Sequence, residues 1–114
     1  MTRYRGTCHC GAVEFQVETE LDRVVRCNCS LCRRRGSLMH YVPPERFALL
    51  SGGERLVQYQ FNTRTATHFF CENCGMFPFF RSDAVEEVYV VNVACLEGAD
   101  VSALEPERID GASY

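Results

Sequence analysis

"CHCGAVEFQVE", residues Cys8 to Glu18, joins the two signals that decide the fold. Its first four residues bring two thiols within one turn, and the seven that follow alternate apolar and polar side chains. Val13, Phe15 and Val17 fall on one face, with Glu14, Gln16 and Glu18 on the other, which is the period of a half-buried strand. In a flat strand Cys8 and Cys10 would share a face, so modest curvature aims both sulfurs at one ion. The expectation is a β framework pinned by metal.

The period of two recurs in "LVQYQF", Leu56 to Phe61, and "VYVVNVAC", Val88 to Cys95, is a β-branched run suited to a buried strand. "LMHYV" and "THFF" read as further strands. "VPPERFALLSGG" suits one helical turn and then a tight turn. After Cys29, "SLCRRRG" predicts a short helix with Ser30 as N-cap and Gly36 as its stop, placing Cys32 on the first turn. The tail after Cys95 is polar and turn-rich, and its reading is loops with at most one more turn or edge strand. It ends in "IDGASY" with no further substrate-covering segment expected. The fold class is therefore mainly β, with small sheets organised around cysteine knuckles and little helix.

A chain of 114 residues fits one domain, 1–114, whose core would gain much from cross-links. No apolar run approaches the roughly 18 residues of a membrane span, and no apolar stretch follows the N-terminal arginines, so the expected location is cytoplasmic. In a reducing cytosol, eight cysteines favour bound metal over disulfides. A net charge of -3 without lysine disfavours nucleic acid as a partner.

Seven cysteines fall into three clusters: Cys8 and Cys10; Cys27, Cys29 and Cys32; and Cys71 and Cys74. A Cys-x-x-Cys before glycine, as in "CENCG", lets two thiolates converge from a turn, with the glycine accepting a positive φ, and "CHCG" is a tighter form of that device. Joining Cys8, Cys10, Cys71 and Cys74 makes a four-thiolate structural zinc site that closes a loop of about sixty residues. The middle three then lack a fourth protein ligand, the composition of a zinc site with a position open to water or substrate. His9, His40, His68 and Cys95 are the side chains that could close it instead. An open position can hold an incoming thiol as thiolate, which points to thiol chemistry.

The ordered motifs "G-x-C-H-C-G-A-V-x-F", "C-x-C-S-x-C-R-R-x-G" and "F-x-C-x-x-C-G" resemble the glutathione-dependent formaldehyde-activating enzyme (GFA) family, which includes centromere protein V. "VNVACLEGAD" is similar to that family's late strand and acidic turn. The resemblance implies a β-rich, tent-like zinc fold with two zinc ions per chain. It implies a carbon-sulfur lyase-type reaction in which glutathione's thiol adds to formaldehyde, giving S-(hydroxymethyl)glutathione. Cys27, Cys29 and Cys32 would hold the catalytic zinc, and the partner would be a small-molecule thiol such as glutathione.

Arg33, Arg34 and Arg35 either orient a peptide carboxylate or form a solvated basic edge. Asn28 and Ser30 would donate hydrogen bonds to the thiolates. Cys95 reads as a small buried hydrophobe. The competing class is a noncatalytic zinc-binding module for a protein partner, with "MFPFF", Met76 to Phe80, either as its apolar patch or as core. A redox role for the paired cysteines is the third reading. The sequence sets no oligomeric state.

Overall fold

The computed structural model describes residues 1–61, 64–83 and 86–113. Among the described residues ten short strands form two sheets. Strands β1 (Thr2–Thr7), β2 (Glu14–Thr19) and β5 (Phe47–Ser51) make the first, in the order β1-β2-β5. The second contains β3 (Val25–Cys27), β4 (Met39–Val42), β6 (Leu56–Tyr59), β7 (Ala66–Cys71), β8 (Phe79–Ser82), β9 (Val88–Asn92) and β10 (Glu107–Ile109). Its order is β10-β3-β4-β9-β8-β7-β6. One helix, α1 (Ser30–Arg35), follows β3. The mainly β reading holds, and no helix among the described residues is long and apolar enough to cross a membrane.

The apolar face of β2 organises the packing. Val13, Phe15 and Val17 are fully buried, and the last two meet Val42 from β4, Phe79 from β8 and Val91 from β9 in one cluster. Stacking of Phe47 on Tyr89, with ring centres 4.1 Å apart, ties β5 to β9 across the same core. On the polar face of β2, Glu14 and Glu18 pair with Arg5 and Arg3 of β1. Alternation thus becomes a sheet with one face in the core and one in water.

Several boundaries differ from expectation for identifiable reasons. "FALLS" is a strand and not part of a helical turn, because only Pro44–Arg46 make a 3-10 turn and β5 then pairs with β2. The buried run after Val88 ends as a strand at Asn92, whose side-chain oxygen accepts from the Ala94 amide and turns Val93–Cys95 into a 3-10 turn. Helix α1 begins at Ser30, the residue expected to cap it, so the N-cap lies one residue earlier at Cys29, its sulfur accepting from the Cys32 amide at 3.3 Å. Gly36 does stop the helix, at φ 67°. The tail contains two 3-10 turns and the edge strand β10, which runs parallel to β3.

Candidate metal centres

The turn between β1 and β2 carries Cys8 and Cys10. The Val13 amide donates to Cys8 Sγ at 3.3 Å, and the Cys8 amide donates to the Val13 carbonyl. Cys71 ends β7, and a second turn presents Cys74, closed by the Gly75 amide on the Cys71 carbonyl at 2.8 Å. Gly75 has φ 77°, as the thiol-thiol-glycine spacing requires. The four sulfurs lie within 4.8 Å of one another. Cys10 Sγ is 3.6 Å from Cys8 Sγ and 3.7 Å from Cys71 Sγ. A zinc-sulfur bond of about 2.3 Å gives a tetrahedron with edges of roughly 3.8 Å, so this donor set fits one tetrahedral ion. The Asn73 side chain and the Ala12 amide hold the Cys10 thiol down to about 6, near the form a metal takes.

The middle group is built by β3 and α1. Cys27 ends the strand, Cys29 caps the helix and Cys32 completes its first turn, with the three sulfurs also within 4.8 Å of each other. The Cys29 amide donates to Cys27 Sγ at 3.4 Å, and the Cys32 amide to Cys29 Sγ. Burial pushes the Cys29 thiol up, but hydrogen bonds from the Cys32 and Leu31 amides and the Cys32 and Cys27 thiols together outweigh it, and the net shift is down. Cys32 is 5% exposed, and burial drives its thiol up to about 12 against the opposing charge of Arg35. A three-thiol set of this kind needs a cation to ionise fully, which fits a bound metal. Among the described residues no histidine, carboxylate or further cysteine joins it.

The four residues that could have closed this group lie elsewhere. His9 is exposed. His40 is held by Thr19 Oγ1 at 2.7 Å and by the Arg23 carbonyl at 2.6 Å. His68 Nδ1 accepts from Arg35 Nη1 at 3.3 Å, and its ring lies 4.6 Å from that of Phe80. Cys95 Sγ faces the Phe77 carbonyl, and burial raises its thiol to about 11, in keeping with an inert packed side chain.

Other readings are corrected here. Asn28 turns away from the sulfurs: its Nδ2 donates to Asp110 at 3.0 Å, and its Oδ1 accepts from the Ala112 amide at 2.9 Å. Ser30 is exposed and makes no side-chain bond to a sulfur among the described residues. Backbone amides and Arg35, whose Nη2 lies 3.4 Å from Cys32 Sγ, take that role. Arg35 is no solvated edge, since its guanidinium sits 3.7 Å above the Phe77 ring. Arg34 is exposed and donates to the Ser30 carbonyl. In "MFPFF" only Met76 is exposed while Phe77, Pro78, Phe79 and Phe80 are buried, so the patch is core.

The tail supplies what the sequence reading missed. Gly111 lies against the middle thiols: a Cβ placed on it would come within 2.4 Å of Cys27 Sγ. The turn at Gly111 in "IDGAS" thus abuts the cluster; Tyr114 lies outside the described residues. A groove of about 400 Å³ opens beside the thiols, lined by Cys27, Cys32, Arg26, Arg33, Arg108 and Asp110 among others. A larger cavity of about 440 Å³, lined by Leu31, Arg35 and His68, lies on the other face of α1, is mostly apolar, and contains none of the middle thiols.

Four-thiol and three-thiol clusters on two sheets define a cysteine-rich β protein whose clusters could each hold a metal ion. The glutathione-dependent formaldehyde-activating enzyme family matches residues 3–109, and the chain belongs to that family. The crystal structure of a Rhodobacter sphaeroides protein is similar, with 42% identity and a TM-score of 0.86 over 92% of this chain and 99% of that one.

Proposed function

We propose that the protein is a single-domain zinc enzyme that adds a small thiol to an aldehyde, as in S-(hydroxymethyl)glutathione formation. The observation that carries this reading is the asymmetry of the clusters: one has four thiols, while the other has three beside an open groove. The reading assigns Cys8, Cys10, Cys71 and Cys74 to a structural zinc, and Cys27, Cys29 and Cys32 to a catalytic one, since sulfur donors at these separations suit zinc. When bound in the middle group, zinc supplies Lewis acidity that favours the ionised form of an incoming thiol near neutral pH.

The protein's own groups prepare that environment. The amides of Cys29 and Cys32 and the Arg35 guanidinium donate to the three sulfurs, offsetting negative charge that would otherwise build up on them. Helix α1 and the Gly111 turn keep the cluster in a fixed pocket, so a thiol and an aldehyde in the groove meet at high effective concentration. The net reaction adds S–H across C=O: a carbon-sulfur bond forms, the carbonyl π bond breaks, and the thiol proton ends on oxygen.

Zinc per chain, measured on anaerobically purified protein and on Cys29→Ser, tests the reading together with calorimetry of glutathione binding. We expect two zinc ions falling to about one in a variant that still folds, with thiol binding lost. One zinc in the unsubstituted protein, or two with no thiol bound, would overturn it.

A further inference from the structure

Ten of the chain's twelve arginines fall into two groups. Arg3, Arg5, Arg23, Arg55 and Arg81 each reach a carboxylate, and Arg34 and Arg35 are engaged around α1. Arg26, Arg33 and Arg108 have no such partner among the described residues, yet all three line the groove that contains Cys27 and Cys32. They come from three elements, β3, α1 and β10. Arg26 and Arg108 are direct partners in the parallel register, so two like charges stand side by side. Such a pair destabilises a sheet unless something of opposite sign lies between them. The neighbouring acid, Glu107, is already bound to Arg23 Nε at 2.8 Å, and Asp110, the carboxylate in the lining, accepts from Asn28. In a chain of net charge -3 the groove lining sets three arginines against the one carboxylate of Asp110, so positive charge predominates at the middle thiols.

We infer that Arg26, Arg33 and Arg108 form a carboxylate clamp that selects thiols carrying carboxylates over neutral thiols. This inference rests on the proposed thiol chemistry and names the residues that set its specificity. Guanidinium forks match carboxylates in two-point geometry, and exposed forks on three elements can hold two carboxylates at once while the thiol points to the cysteines. Opposite charge also speeds encounter, an effect that salt suppresses.

The test uses the zinc-loaded full chain, with Arg26→Gln, Arg108→Gln and the double variant, and three probes. Glutathione has both thiol and carboxylates, S-methylglutathione has the carboxylates without a free thiol, and 2-mercaptoethanol has only the thiol. Calorimetry should show glutathione and S-methylglutathione binding about tenfold more weakly for each arginine lost, and more weakly still in added salt. Competition by 2-mercaptoethanol should stay unchanged, as should zinc content. Unchanged glutathione affinity, or an equal loss for 2-mercaptoethanol, overturns the clamp alone. Failure of the unsubstituted protein to bind any of the three overturns the clamp and the thiol chemistry together. Arginine-dependent binding of glutathione and S-methylglutathione with equal affinity, and no binding of 2-mercaptoethanol, supports the clamp and overturns the chemistry.

Discussion

His68 shows how one residue couples the core to pH. Burial first, and the charge of Arg35 second, lower its imidazole from an ordinary value near 6.5 to about 4. Between those values the unfolded chain binds a proton at His68 and the folded chain does not, so stability falls as pH drops from about 6.5 to 4. Below about 4 both states are protonated and this loss stops. His68→Phe, which keeps a ring against Phe80, should therefore show a smaller drop in Tm between pH 7 and 4.5 than the unsubstituted protein. An equal drop would mean that His68 is already charged in the fold.

At the scale of elements, the C-terminal strand and turn decide the shape of the middle site. Strand β10 is held to β3 by its parallel register, and the Asn28 amide donates to the Ile109 carbonyl at 3.2 Å. The Asn28 side chain then fixes Asp110 and Ala112, residues more than 80 positions away. Only a residue without a side chain fits where Gly111 passes Cys27 Sγ. Gly111→Ala should displace this turn at a cost of about 1 to 3 kcal/mol, as overpacking does. Hydrogen exchange at the amides of Asn28 and Ala112 should then speed up while the four-thiol site keeps its metal. Unchanged exchange would show that the turn moves without losing its bonds.

For the whole molecule, the four-thiol group stands where a bound metal would be the main fastener. It joins the β1–β2 turn to the end of β7, residues that belong to different sheets. The Cys10 and Cys71 sulfurs are brought together across 61 positions of chain. Closing a loop of that length costs the chain roughly 3 to 4 kcal/mol, which metal binding would offset in the folded state. Cys74→Ser should therefore lower the Tm well below that of Cys29→Ser, although both remove one metal site. Similar Tm values would show that the two sheets hold together through the Phe15 cluster alone.

The sequence by itself determined the β class, the apolar face Val13-Phe15-Val17, and the division of seven cysteines into four and three. These signals are local: a period of two, and thiols spaced within a turn, express themselves wherever the strand or turn ends up. It also marked Gly36 and Gly75 correctly, because a positive φ is a property of the position's own backbone. Strands β1, β3, β5 and β8 were not legible, and β10 was legible only as an edge strand without a partner. "TRYRGT" breaks its alternation with Gly6, whereas β3 and β10 have three residues each, and their identity as strands comes from partners. Tertiary structure alone brought Arg26 beside Arg108, laid Gly111 on Cys27 and moved Arg35 from solvent onto Phe77 and Cys32. The physical reason is that these contacts join segments remote in sequence, where pairing register and packing choose the neighbours and no local spacing records them.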